Sequence, residues 1–149
     1  MKNYLKLASL ALLLSFLVSC ISEDGNPNAP DDKTMVMGQL DLIKSGTLTA
    51  QSSTNTRGTV SIVKDNAGKY FLRLSENFTT KFSTGTVTVY LATSQTLNLN
   101  SSSTFQLVSI VGKPGEQFFA LPGLPDSKFT HAIIWCGAAA IPFGFAPLN

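Results

Sequence analysis

Short apolar runs that end at turn residues recur along the last two-thirds of this chain. The clearest pair is Thr59 to Lys64 and Lys69 to Leu74, separated by the turn sequence Asp-Asn-Ala-Gly. Strand side chains alternate between two faces, which puts Val60 and Ile62 on one side of the first run. Two such runs across a short turn predict an antiparallel β-hairpin.

Six further runs have the same character, at spacings of roughly 8–15 residues. They are Gly46 to Gln51, Thr86 to Leu91, Thr104 to Val111, Glu116 to Leu121, Thr130 to Trp135 and Ala138 to Phe145. About eight short strands predict an all-β fold, namely a single small antiparallel β-sandwich or barrel-like domain over residues 45–149. Within the less regular segment 76–84, Phe78 and Phe82 are expected to anchor the chain to the core. Helical periodicity is nearly absent after residue 20; the one candidate, Met35 to Ile43, is interrupted by Gly38.

The N-terminal segment has the order of parts found in a secretory signal. Lys2 and Lys6 give a basic start, and Leu7 to Val18 is a twelve-residue apolar run, too short to span a bilayer as a helix. The ending Leu-Val-Ser-Cys resembles a bacterial lipobox, which predicts a signal peptide over residues 1–19 and a diacylated Cys20 as the mature N-terminus. The other interpretation is an ordinary signal peptide that happens to end near a cysteine.

Residues 20–44 are predicted to form the lipidated cysteine and a flexible tether, because Ile21 to Lys33 is rich in Asn, Pro, Asp and Gly. Asp at the second mature position would suggest retention in the inner membrane of many Gram-negative cells, but this chain has Ile21. The expected location is therefore the cell envelope, lipid-anchored in the outer membrane and facing the periplasm or the surface. The membrane is one partner, through the lipid.

Charge excludes one class of partner. Without Lys2 and Lys6 the chain has nine basic and nine acidic residues, and its lysines are scattered rather than clustered among aromatic residues. Nucleic acid is therefore not an expected partner. The sequence also shows no phosphate-binding loop, metal-spaced His cluster or nucleophile elbow, so no cofactor and no metal is evident from its motifs.

Cys136 is the residue on which a chemical role would depend. If Cys20 carries lipid, Cys136 has no disulfide partner and is either buried and inert or a reactive thiol. Its apolar sequence neighbours, such as Ile134 and Ala138, are expected to raise its pKa. His131 is an improbable partner, because residues 130–136 read as a strand that would place His131 and Cys136 on opposite faces.

Several segments together resemble the DM-thirteen domain, a small module found in bacterial lipoproteins and beside DOMON domains in Skeletor-type animal proteins. They span about residues 45–148. The most specific part is Ile133-Ile134-Trp135-Cys136 followed by Phe143-Gly144-Phe145-Ala146-Pro147-Leu148. More generic segments include Gly58 to Val63, Tyr70 to Leu74 and Gly115 to Pro122. This chain differs from the usual pattern in having Gly-Ala-Ala-Ala after Cys136, which offers no polar side chain to a thiolate.

The resemblance implies a β-rich module in which the cysteine at the position of Cys136 takes part in a redox or electron-transfer reaction. A lone thiol cannot form an internal disulfide, so the implied mechanism needs an unidentified redox or surface protein partner, or a redox centre that is bound or carried by that partner. The alternative is a non-catalytic binding module in which Cys136 is structural. No acid or base is positioned beside the thiol in sequence, so a redox accessory or binding protein is favoured over a stand-alone enzyme.

Overall fold

Two antiparallel sheets face each other across an apolar core in the computed structural model, which describes residues 36–149. The first, sheet A, has four strands in the order β1-β3-β4-β7. Their bounds are Asp41–Thr47 for β1, Thr59–Lys64 for β3, Tyr70–Leu74 for β4 and Gln117–Leu121 for β7. Adjacent strands pair antiparallel throughout.

The second, sheet B, has five strands in the order β2-β9-β8-β5-β6. Their bounds are Thr49–Ala50 for β2, Val87–Ala92 for β5, Phe105–Ile110 for β6, His131–Cys136 for β8 and Ile141–Pro147 for β9. Two short 3-10 helices, Phe82–Thr84 and Ser102–Thr104, lie in the connections before β5 and before β6. Within residues 36–149 there is no helix of the length and apolarity needed to cross a bilayer.

The core lies between the inner faces of the two sheets. Alternate residues supply it, as the two-residue period of a strand requires. From sheet A come Val60, Ile62, Leu72 and Leu74, and from sheet B come Val87, Val89, Leu91, Ala132, Ile134 and Cys136. These residues are all 2 % exposed or less, so their apolar surface is almost entirely removed from contact with water.

The two sheets also meet directly at one edge. The N–H of Ser45 on β1 donates to the carbonyl of Asn149 at 3.0 Å, and the N–H of Asn149 donates to the carbonyl of Ser45 at 3.1 Å. Gly46 makes this approach possible, because a Cβ on it would lie 1.9 Å from the carbonyl oxygen of Pro147. A side chain at position 46 is therefore incompatible with the junction.

The predicted all-β class is confirmed, and the architecture is a sandwich of two sheets rather than a closed barrel. The predicted hairpin is β3 and β4, with Val60 opposite Leu74 and Lys64 opposite Tyr70. Phe78 lies in the core at 1 % exposure and packs edge-to-face on Phe82, with 6.3 Å between their ring centroids. The expected anchoring of this segment is therefore confirmed.

The helical candidate Met35 to Ile43 is wrong over its described part, because residues 36–40 form no helix and β1 begins at Asp41, in the segment predicted as tether; Met35 lies outside the described residues. Its pairing with β3 shifts register between Leu42 and Lys44. A bulge of this kind interrupts the two-residue alternation that reveals a strand in a sequence.

Candidate functional site

Cys136 is the last residue of β8, one of the inner strands of sheet B. It pairs with Val87 on β5 and with Ile141 on β9. Its side chain points into the core between the sheets and is 0 % exposed. It is the free cysteine of the part of the chain that the structure describes, whereas Cys20 lies outside those residues.

The turn after Cys136 brings backbone donors to its sulfur. Residues 137–140 connect β8 to β9, and the N–H of Gly137 donates to the carbonyl of Thr86 at 2.9 Å, which fixes the start of the turn. The N–H groups of Ala139 and Ala138 then interact with the Cys136 sulfur as hydrogen-bond donors. Small side chains keep this turn close to the strand end.

Thr84 provides the one side-chain partner. Its Oγ1 lies 3.7 Å from Cys136 Sγ, and its carbonyl oxygen lies 3.9 Å from the same sulfur, within reach of the thiol hydrogen. Gly85 allows this contact in two ways: it has a φ of 106°, and a Cβ there would lie 3.1 Å from the Cβ of Ala138. Segment 84–86 therefore packs directly on the turn after Cys136.

These contacts decide the acidity of the thiol. Burial raises the pKa of Cys136, but the Ala139 N–H, the Thr84 hydroxyl and the Ala138 N–H together outweigh burial and bring the pKa below its ordinary value. Donors to the charged form stabilise a thiolate. The expectation that apolar neighbours would raise this pKa was therefore wrong, because the peptide N–H groups of the alanines act in place of side chains.

Sequence reasoning missed both parts of this donor set. Thr84 is 52 residues away in sequence, so no local pattern connects it to Cys136. Gly137 was the one local signal for the turn; Ala138 to Ala140 were predicted as the start of a strand, which is wrong, because β9 begins at Ile141.

His131 is at the opposite end of β8 and on the opposite face, as predicted. Its Nδ1 lies 2.9 Å from Thr130 Oγ1, and its ring centroid lies 6.3 Å from that of Phe145. Burial lowers the pKa of His131. The pairing of β8 with β9 shifts register at Phe143 of β9, so the bulge in this pair does not lie at Cys136. The structure therefore does not bring His131 and Cys136 together.

No cluster of three or more His, Cys, Asp or Glu side chains suited to a metal ion occurs within residues 36–149. The groups available for sulfur chemistry in this region are the Cys136 thiol, two peptide N–H donors and one hydroxyl. Such a site can stabilise a thiolate, but it offers no second sulfur.

Comparison with known proteins gives one result. A family model described as "Electron transfer DM13" matches residues 47–148, which include β2 to β9 and Cys136. No curated protein and no solved structure matches the chain significantly. The match covers more than half of the chain, and the chain belongs to the DM13 electron-transfer family.

Proposed function

We propose that this protein is a lipid-anchored envelope protein whose DM13 domain takes part in redox chemistry through Cys136. Family membership supports a redox-related role. The observation that carries the assignment to Cys136 is its donor set, which lowers the pKa of a fully buried thiol. A core cysteine that served only as a small apolar residue would need no such donors.

The proposed reaction is thiol–disulfide exchange with a partner protein. The Cys136 thiolate attacks one sulfur of a partner disulfide; an S–S bond forms between the proteins, and the partner's second sulfur leaves as a thiolate. A third partner thiol, different from the sulfur that left, then attacks the partner sulfur of the mixed disulfide; a new S–S bond forms within the partner, and Cys136 leaves as a thiolate. The partner must supply all three of the other sulfurs, because Cys136 has no second thiol within the described residues, and the net reaction moves a disulfide between partner cysteines.

Burial imposes a condition on this reaction. Cys136 Sγ is covered by the turn of residues 137–140 and by segment 84–86. In-line attack on a disulfide requires contact with the sulfur, so one of these segments must move before exchange occurs. Reaction rates should therefore depend on local opening as well as on the fraction of thiolate.

Native thiol labelling tests the proposal. The intact chain is treated with iodoacetamide over a pH series, and modification at each cysteine is measured by mass spectrometry. The expected rate for Cys136 rises at a lower pH in the folded protein than in the denatured protein, because only the folded state has the donors. In Thr84→Val, which keeps the shape but removes the hydroxyl, the rise should move to higher pH. A second arm uses an aromatic disulfide, with a mixed disulfide at Cys136 as the expected product.

The second candidate is a binding module in which Cys136 is structural, and its complete burial favours this reading. Labelling of Cys136 only after denaturation, with no mixed disulfide in the native protein, would reject the redox role and support this alternative. An unchanged pH profile in Thr84→Val would reject the part assigned to the hydroxyl.

We also propose that Cys20 carries the lipid and that the protein is sorted to the outer membrane, because Ile21 stands where the Asp of an inner-membrane retention signal would be. The support is the basic start, the apolar run and the Leu-Val-Ser-Cys ending, in that order. The N-terminal peptide of the mature protein should begin at Cys20 and carry the mass of a diacylglyceryl group with a fatty acid, and Cys20→Ser should abolish it. A mature chain that begins elsewhere, or fractionates with the inner membrane, contradicts these assignments.

A further inference from the structure

The outer face of sheet B carries a second apolar cluster, separate from the core between the sheets. Ala92 and Ile133 are buried in it, and Tyr90, Phe105, Trp135 and Phe145 pack around them as partly buried side chains. Leu97, from the connection between β5 and β6, covers part of this cluster. The remainder of the face is open to solvent.

The most exposed apolar residues of this face lie on the edge strand β6. Leu107 is 52 % exposed and pairs with Tyr90, and Ile110 is 39 % exposed and pairs with Thr88. Directly opposed residues share a face of the sheet. Leu107 and Ile110 therefore extend the aromatic cluster to the edge of sheet B. We refer to Tyr90, Phe105, Leu107, Ile110, Trp135 and Phe145 as the aromatic face.

Charge is distributed unequally between the two sheets. Residues 36–149 contain eight Lys or Arg and five Asp or Glu, and none of these thirteen lies on a strand of sheet B. The connections within sheet B, residues 93–104 and 137–140, are also uncharged. Charged residues are depleted and aromatic ones enriched at the centres of protein–protein interfaces. The aromatic face has this composition.

We propose that the aromatic face is a homodimer interface, at which a second copy of this chain docks sheet B against sheet B. Two identical faces that carry no charge can meet about a twofold axis without like-charge repulsion. In this dimer the two A sheets, which carry net positive charge, lie on the outer sides and away from each other. Stacked sheets pack about 10 Å apart at a crossing near 30°, which lets partly exposed aromatic side chains interdigitate. This inference is independent of the redox role of Cys136.

Two other occupants fit the charges less well. A bilayer containing anionic lipid attracts basic surface, which this protein has on the sheet A side and in the connections. A strongly charged protein partner would find no counter-charge on sheet B. A second copy of the aromatic face, which carries no Lys, Arg, Asp or Glu, meets neither difficulty.

The size of the face sets the expected affinity. Four strands of six or seven residues form most of it. At about 4.8 Å between strands and about 3.3 Å per residue, the face measures roughly 20 Å by 20 Å. Two such faces, about 400 Å² each, bury about 800 Å² in total, which is less than the roughly 1,000 Å² of a stable specific interface, so we expect a weak, reversible dimer.

Sedimentation velocity of the intact chain in a density-matched neutral detergent tests the proposal. The parent protein should shift reversibly from monomer to dimer as its concentration rises. Leu107→Lys places like charges on both faces and should raise the dissociation constant at least tenfold. Leu42→Lys is the matched control: Leu42 is 64 % exposed but lies on β1 of sheet A, so this variant should dimerise as the parent does.

Trp135 provides a second readout, because it is the single Trp of the chain and lies on the aromatic face. Dilution of the parent should increase quenching of its fluorescence by acrylamide, whereas Leu107→Lys should show strong quenching at every concentration. Far-ultraviolet circular dichroism and the unfolding midpoint confirm that both variants are folded.

Three results would overturn the dimer. The first is a parent protein that remains monomeric at all concentrations. The second is equal loss of association in Leu42→Lys and Leu107→Lys, which would place the interface elsewhere. The third is quenching of Trp135 by a brominated detergent in a monomer, which would show that the aromatic face contacts lipid instead.

Discussion

Replacement of Gly46 by alanine should separate the two sheets at the edge where they meet. A Cβ at this position would lie 1.9 Å from the carbonyl oxygen of Pro147. Non-bonded carbon and carbonyl oxygen atoms approach to about 3.3 Å, so β1 and residue 147 must move apart by about 1.4 Å. Hydrogen bonds near 3.0 Å between Ser45 and Asn149 do not survive such a displacement.

The expected loss follows from those contacts. Two backbone hydrogen bonds contribute about 0.5–1.5 kcal/mol each, and local packing against Ala146 is lost as well. We expect Gly46→Ala to lower the free energy of unfolding by about 2–4 kcal/mol, a decrease of roughly 10–20 °C in midpoint for a domain of this size.

Urea unfolding of the intact chain, followed by the fluorescence of Trp135, measures this difference. Gly123→Ala is the matched control, because a Cβ at Gly123 would have no atom within 4 Å. We expect the control to lie within about 0.5 kcal/mol of the parent protein. If Gly46→Ala were equally close to the parent, the close approach of β1 to the C-terminal strand would be incorrect.

Two further predictions concern polar groups at the turns and connections. Burial raises the pKa of Asp65, but the N–H groups of Lys69, Met37 and Ala67 and the charge of Lys69 outweigh it and lower that pKa below its ordinary value of 3.8. The Asp65 carboxylate therefore stabilises the fold above its unfolded pKa, and this contribution is lost as pH falls through its folded pKa. Asp65→Asn should therefore reduce the dependence of the urea midpoint on acid pH. An unchanged dependence of the midpoint on pH would contradict the assignment. Thr56 Oγ1 lies 2.6 Å from Thr80 Oγ1 in a buried contact. Thr56→Val should leave the Thr80 hydroxyl unsatisfied and lower the free energy of unfolding in urea by about 1–3 kcal/mol. An unchanged free energy of unfolding would indicate another partner for Thr80.

Local alternation was enough to predict most of the strands. Thr59 to Lys64 is β3 residue for residue, because Val60 and Ile62 lie on the core side and neither a bulge nor a proline interrupts the run. β1 was harder to recognise, since Ile43 interrupts its register with β3. Pairing order was not accessible either: sheet B joins β2 to β9 and β8 to β5, contacts between residues tens of positions apart.

At the candidate site, too, the sequence was enough for local features but not for those that depend on distant residues. The placement of Cys136 and His131 on opposite faces of β8 followed from the period of a strand, whereas the burial of Cys136 in the core came from the structure. The acidity of the thiol did not follow, because it depends on a distant hydroxyl and on peptide groups whose directions are set by the fold. Apolar neighbours in the sequence were misleading for this reason.

The turn after Cys136 has a consequence for how its chemistry can be altered. Two of the three donors belong to the main chain, so no exchange of one side chain for another removes them, except replacement by proline, which has no N–H. Insertion or deletion within residues 137–140 would displace both at once, whereas substitutions that keep the turn's conformation would leave them in place. An amide-to-ester replacement at Ala139, introduced by chemical synthesis, would remove a single donor while every side chain stayed the same. The thiol of this domain is thus controlled by the length and shape of a loop more than by the identity of its residues.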